Sequence, residues 1–321
     1  MEALRTPESR FAQLPGFPFE PHYMTLTSGL RQHYVDEGPA SGPVVVLLHG
    51  QPTWSYLYRT VIPPLVRHGV RVLAPDMIGF GRSDKPTARG DYSVRHHIEN
   101  LGQLLDQADL REMTLVVQDW GGPIGLGAWR RAPERVRGVV AANTALHTAD
   151  VALAGRLTWA CHSQPDGTVA VESALLDYQR MTQELSLFAP SLFVQGATLT
   201  TLSNDVCGAY DAPFPSEDYC AGARQLPLLM GLTPNSAAAR ENAKILDALS
   251  RSDLPLLTAF SDGDASTEGW DAVLQGTARG AAGQAHCTIA GAGHFLQEDQ
   301  GSALADVILG FLDGSATRRT P

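Results

Sequence analysis

A chain of 321 residues, 44% of them hydrophobic and 18% charged, holds enough core-forming material for one large catalytic domain with an inserted subdomain, or for two ordinary domains. Its formal charge of −10 offers no basic field for phosphates, which argues against a nucleic-acid partner. The apolar runs are strand-sized, too short to span a bilayer, so no membrane association is expected.

Residues 1–23 are polar and contain proline, without the basic patch and apolar stretch of a secretory signal. His22–Leu26 and Gln32–Val35 suit an antiparallel hairpin at a sheet edge. Short apolar runs then recur. Val44–Leu48 ends in His49-Gly50, Arg71–Pro75 in Asp76, Leu115–Val117 in Gln118-Asp119 and Val136–Ala142 in Asn143. Helix-like segments, His96–Gln107 and Gly122–Arg131, lie between them. The adjacent His96 and His97 do not share a helix face and read as solvated surface, not as a metal pair. After Asn143 the alternation stops until about Ala223. That stretch holds a helix-like piece, Val171–Leu185, and Pro-rich connectors. Leu254–Phe260, ending in Ser261-Asp262, and His286–Ile289 resume the pattern. Strands alternating with helices predict an α/β architecture, a mostly parallel central sheet with helices on both faces. Runs apolar throughout fit strands buried on both sides. The interruption predicts a helical cap domain, 144–223, inserted into a core of 1–143 and 224–321. Cys161, Cys207, Cys220 and Cys287 are scattered with no C-x-x-C pair. They read as free thiols, which favours the reducing cytoplasm.

No G-x-S-x-G occurs, so a serine nucleophile on a strand–helix elbow has no candidate. Where that elbow belongs stands Asp119-Trp120-Gly121-Gly122. A strand-end aspartate followed by glycines can be exposed at the functional edge of the sheet, although Asp also caps helices well. The remaining constellation separates the two readings. His294 sits on a Gly-rich loop after the last strand. Asp264 is the expected acid partner after the penultimate strand, with Asp262 the alternative. Nucleophile, acid, histidine is the chain order of α/β-hydrolase triads. The loop His49-Gly50-Gln51-Pro52 can supply the N–H of Gln51 which, with the N–H of Trp120, would hold an oxyanion.

These segments resemble the haloalkane dehalogenase family. The likeness runs through Leu48-His49-Gly50-Gln51-Pro52-Thr53-Trp54-Ser55-Tyr56-Leu57-Tyr58-Arg59, through Ala74-Pro75-Asp76 to Pro86, and through Val116-Val117-Gln118-Asp119-Trp120-Gly121-Gly122. Asp211-Ala212-Pro213-Phe214-Pro215 and Gly291-Ala292-Gly293-His294-Phe295-Leu296-Gln297-Glu298 continue it. It keeps motif order over nearly the whole chain and weakens over 150–198. The resemblance implies hydrolytic cleavage of a carbon–halogen bond in a small apolar substrate. Asp119 would form an alkyl ester, and water activated by His294 with Asp264 would hydrolyse it. It implies no metal or organic cofactor. Asn143 stands where some relatives carry their acid, and it is uncharged. Halide binding in the family commonly takes two tryptophan indoles. Trp120 fits the first, and alignment puts Tyr178 at the second, with Trp159 as a substitute if the cap is rearranged. Gln51 occupies a position where relatives often have Glu. Tyr178 also opens the rival reading of an epoxide hydrolase with the same nucleophile and Tyr178 as proton donor. A third reading is a non-enzymatic ligand receptor on a hydrolase scaffold.

Overall fold

The computed structural model describes residues 1–149, 160–163, 169–172 and 174–317. Eight strands form the main sheet: β1 (His22–Thr25), β2 (Arg31–Glu37), β3 (Val44–Leu48), β4 (Arg71–Pro75), β5 (Met113–Gln118), β6 (Val136–Ala142), β7 (Leu256–Ser261) and β8 (Cys287–Ile289). Their order is β8-β7-β6-β5-β3-β4-β2-β1. Neighbours from β4 to β8 run parallel, whereas β2 is antiparallel to β4 and β1 to β2, the expected edge hairpin.

Helices α1 (Ile62–Arg67), α2 (Val94–Gln107) and α3 (Gly121–Arg131) follow β3, β4 and β5. Among the described residues five more separate β6 from β7: α4 (Ala174–Glu184), α5 (Pro190–Gly196), α6 (Asn204–Asp211), α7 (Ala221–Gln225) and α8 (Ala237–Arg251). α9 (Trp270–Thr277) precedes β8, and α10 (Leu296–Thr317) follows it. The mostly parallel sheet with helices on both faces foreseen from the alternation is therefore present, in the α/β-hydrolase arrangement that the resemblance implies. The pleat divides the core between two faces, because successive strand residues point to opposite sides. Val46, Leu48, Leu115, Val117, Val139 and Ala141 bury one way, against Ile98 and Leu101 of α2, Ile124 of α3 and Ile245 of α8. Val45, Leu47, Val116, Val140 and Ala142 bury the other way, against Ile62 and Leu65 of α1 and Leu304 and Ile308 of α10.

Two expectations change. Val171, read as part of a helix, lies in an antiparallel ladder that pairs Ala160–Ser163 with Val169–Glu172; its neighbour, the helix α4, begins at Ala174. Branched valines at 169 and 171 alternate with smaller or polar residues, a period-two signal that suits a strand. His97 is not solvated surface. Ser93 caps α2 through His96 N, and the helical period then places His97 on the buried stripe of Val94, Ile98 and Leu101. Burial pushes its pKa down to about 3, with the neighbouring His49 and His96 adding to the effect. Among the described residues no helix is long and apolar enough to cross a membrane.

The sheet's carboxyl edge is fixed by one buried carboxylate. Asp76, fully buried after β4, accepts from His33 Nδ1 at 2.7 Å, Ser55 N at 2.8 Å and Arg82 N at 2.8 Å. It thereby ties β2, the loop after β3 and the loop before Lys85 to one point. Burial opposes its charge, but His33, His49 and the Ser55 amide together hold its pKa below the usual carboxylate value. Replacing Asp76 with Ala should lower unfolding free energy by about 3–5 kcal/mol, as loss of a buried charge partner does. Denaturant midpoints check this. Because the native pKa is depressed, the loss should be complete above pH 3.8 and should fade as pH falls further.

Candidate active site

β3 and β5 are neighbours at the point where the strand order reverses, and their carboxyl ends open a crevice there. β5 delivers Asp119 in the left-handed region, at φ +49°. The sharp turn into α3 needs glycine twice. A Cβ on Gly121 would lie 2.3 Å from Leu48 O, and one on Gly122 would lie 1.9 Å from Thr144 Oγ1. Asp119 N donates to Asn143 O at 2.9 Å, and Thr144 Oγ1 donates to Asp119 O at 2.6 Å. The carboxylate takes a hydrogen bond from Gln51 N at 2.7 Å to Oδ1 and from no amide of α3, so it does not act as a helix cap. Its side chain stays 24% accessible. Gly50 permits the approach, since a Cβ there would stand 2.2 Å from Oδ1. Trp120 N makes no hydrogen bond to this carboxylate.

His294 meets it from the turn before α10. Its Nε2 is 3.6 Å from Asp119 Oδ2, and its Nδ1 is 2.9 Å from Asp264 Oδ2. Asp264 also accepts from Thr267 Oγ1 at 2.5 Å and Ser266 N at 2.8 Å. Burial disfavours its charge, yet His294 and these donors lower its pKa to about 2. Burial likewise disfavours the His294 cation, but Asp264 and Asp119 together outweigh it and lift the pKa to about 10. The alternative acid, Asp262, faces solvent and instead accepts from Gly291 N and Ala292 N.

Three polar side chains that the sequence reading gave no role hold the His294 loop. Asn143 Nδ2 donates to Gly293 O and His294 O, each at 3.0 Å. Gln118 Nε2 lies 3.1 Å from His294 Nε2 and 3.3 Å from His294 O. Asp299 accepts from Gly293 N at 2.9 Å and from Leu199 N and Thr200 N. Gln118 ends a strand and Asn143 follows one in this crevice, which was the only signal for Gln118; Asn143 was also marked by its place where some relatives carry their acid.

Trp120 is buried beside the carboxylate, and its indole makes no hydrogen bond to a described residue. The Tyr178 ring on α4 is half-buried, but its hydroxyl is fully sequestered with no partner among the described residues. Burial, and secondly the Asp119 charge, raise this phenol well above 10, so it remains a donor. Tyr178 packs edge-on against Phe193, which continues through Phe188 to Phe214. With Trp120 these rings belong to one buried cluster. Gln51 donates through Nε2 to Ala223 O at 2.8 Å, while its Oε1 is buried without a partner among the described residues. Trp159 lies outside the described residues. Among the described residues no three His, Cys, Asp or Glu side chains group as metal ligands.

Residues 43–185 match the sequence profile of a family described as alpha/beta hydrolase fold. The chain is 45% identical to a haloalkane dehalogenase of Psychrobacter cryohalolentis, over 97% of this chain and 98% of the relative. It is 42% identical to one of Mycobacterium marinum, over 96% and 99%. Among solved structures, the tetrameric haloalkane dehalogenase DpaA of Paraglaciecola agarilytica superposes with a TM-score of 0.83 at 31% identity, covering 95% of this chain and 97% of that one.

The His294–Asp264 pair links stability to pH. A histidine whose native pKa is raised contributes stability that is complete below its unfolded value of 6.5 and lost as pH rises through about 10. The stability gap between wild type and Asp264→Asn should therefore be wide near pH 6 and shrink above pH 10. Urea unfolding across this range measures it; a gap that stays constant would contradict the coupling.

Proposed function

The chain belongs to the haloalkane dehalogenase family, and from that premise we propose that it converts a small apolar haloalkane and water to an alcohol, a halide ion and a proton through an ester on Asp119. One observation carries the reading. Asp119 stands on its elbow with Oδ1 held by Gln51 N at 2.7 Å and Oδ2 open toward His294 Nε2 at 3.6 Å. Oδ2 attacks the sp3 carbon from the side opposite the halogen, and the carbon–halogen electron pair leaves with the halide. Trp120 Nε1 and the Tyr178 hydroxyl receive the ion. Both are donors sited in an apolar surround that strengthens their pull on an anion, and the Tyr178 hydroxyl is buried without a described partner.

Forming the ester removes the Asp119 charge. The carboxylate raises the His294 pKa both as a charge and as a hydrogen-bond partner, so alkylation lowers that pKa and frees the ring to act as a base. His294 then takes a proton from water as the water oxygen attacks Cγ of Asp119. Oδ1 becomes the oxyanion at Gln51 N. Trp120 N, which makes no bond to the resting carboxylate, is the second donor and engages only as this charge develops. Collapse re-forms the Cγ–Oδ1 double bond and breaks the Cγ–Oδ2 bond. The departing oxygen takes the proton held by His294 and leaves as the alcohol, and the carboxyl group, its second oxygen now from water, releases its proton to return to the carboxylate. Asp264 holds the ring throughout.

We assign residues 144–223 to the cap and 1–143 with 224–321 to the core. The segment 144–223 contributes Tyr178 and three rings of the aromatic wall, although its end at 223 falls inside α7. The free thiols of Cys207, Cys220 and Cys287 support a cytoplasmic address.

Halide release from short bromoalkanes tests the reading. Asp119→Ala should abolish it. His294→Gln should release about one halide per site and accumulate the alkyl ester, visible as added mass on the intact protein; steady turnover by His294→Gln would sink the assignment of the base. Tyr178→Phe should lower kcat/KM about tenfold or more, the effect of one hydrogen bond to a charged group. Tyr178→Trp should retain most of the wild-type value, and halide inhibition should follow the same order.

A further inference from the structure

The chemistry above leaves one donor in the site without a task. Gln118, the last residue of β5, is fully buried, and its Nε2 lies within hydrogen-bond distance of both His294 Nε2 and His294 O. A primary amide nitrogen carries two hydrogens, so one can serve each acceptor. The main-chain oxygen can only accept, and this decides which end of the amide faces the loop. Turned over, Oε1 would stand against a carbonyl oxygen. The orientation is kept even though it leaves Oε1 buried without a partner among the described residues.

The other ring nitrogen is just as constrained. Nδ1 faces Asp264 Oδ2 at 2.9 Å, an acceptor that requires Nδ1 to carry hydrogen. A donor at Nε2 and an acceptor at Nδ1 together select the neutral ring with its lone pair on Nε2. We infer that Gln118 is a positioning residue for the hydrolytic half of the reaction: its amide, anchored on His294 O, keeps a donor against Nε2 and so favours the unprotonated ring that takes the proton from water. Nε2 has a single lone pair, so the amide hydrogen yields it as the water proton arrives, while the other amide hydrogen stays on His294 O.

The charged groups facing the ring pull the other way. Asp264 from the turn after β7 and Asp119 from the elbow face it directly, while Asp262 and Asp299 hold the amides of residues 291–293. Asp264 and Asp119 favour the cation. Esterification silences only Asp119. Gln118 is thus the neighbour that opposes the remaining negative charges at the moment a base is needed.

This inference rests on the roles given to Asp119 and His294, and its test separates the two. Rapid quench with intact-mass detection follows a bromoalkane through ester formation and ester hydrolysis across pH, in wild type, Gln118→Met and Gln118→Glu. Absence of both halide release and the added alkyl mass in His294→Gln would remove the underlying reading. With the ester detected there, the acid limb of ester hydrolysis should move up by about half to one pH unit in Gln118→Met, the worth of one hydrogen bond. It should move further in Gln118→Glu, where a carboxylate would stabilise the cation. Superimposable limbs overturn the inference, because a side chain that only packs would lower stability without moving a pH profile. If neither variant folds, nitrogen NMR of wild-type His294 decides. At a pH where the ring is neutral, Nδ1 should carry the hydrogen and Nε2 should read as a hydrogen-bonded acceptor; hydrogen on Nε2 instead overturns the proposal.

Discussion

Asp119 sits at φ +49°, where an L-residue's Cβ crowds the following carbonyl at a cost of about 1–2 kcal/mol. That conformation turns the chain from β5 into α3 within two residues and lifts the carboxylate clear of the helix. The surroundings hold it there from several directions. Asn143 O and Thr144 Oγ1 grip its backbone, Gln51 N grips Oδ1, and glycines at 50, 121 and 122 vacate the space the turn requires. The same strands that supply these groups are buried on both faces, so the elbow inherits their rigidity. A nucleophile on a flexible loop would lose much of the rate gained by alignment with the carbon it attacks.

The electrostatics of the site follow from that fixed carboxylate. His294 lies between two aspartates, Asp264, which is enclosed, and Asp119, whose charge the proposed esterification would consume. On that proposal a single imidazole is a poor base before alkylation and a competent one after it, with no movement of the backbone. The division of labour between Asp264 and Asp119 is set by access: Asp264 is almost wholly enclosed and saturated by donors, whereas Asp119 keeps an open oxygen.

Much of this was legible in the residues, for physical reasons that differ between elements. Strands such as Val44–Leu48 and Val136–Ala142 announced themselves because both faces are buried, which leaves an uninterrupted apolar run. Asp119, Asp264 and His294, the residues the proposed reaction uses, stood out as reactive side chains at strand ends where glycine permits a turn, and folding brings them together. Legibility failed where the partner is distant. His97 is hydrophilic by type, and only the period of α2 shows that it points inward. Gln118, Asn143 and Asp299 carry no type-specific signature, since each matters through amides and carbonyls brought near only by folding. Tyr178 was found by alignment, and the seclusion of its hydroxyl depends on Phe193 and its neighbours.

The acidic pair after His294 binds the cap unevenly. Glu298 receives Arg59 from the loop after β3 and the hydroxyl of Tyr210 on α6, and Asp299 receives the amides of Leu199 and Thr200. The rear of the proposed cap is thus welded to the stretch that bears His294. α4, with Tyr178, is held away from the His294 loop, by apolar packing, by Gln179 and Gln183 reaching Pro227 O and Arg224 O, and by the buried Arg224 guanidinium donating to Thr182 O and Leu185 O. Random drift in the front helix can reshape which molecules are admitted while the hydrolytic apparatus behind it stays in tune. Such a chain can diversify its diet one substitution at a time without passing through an inert ancestor.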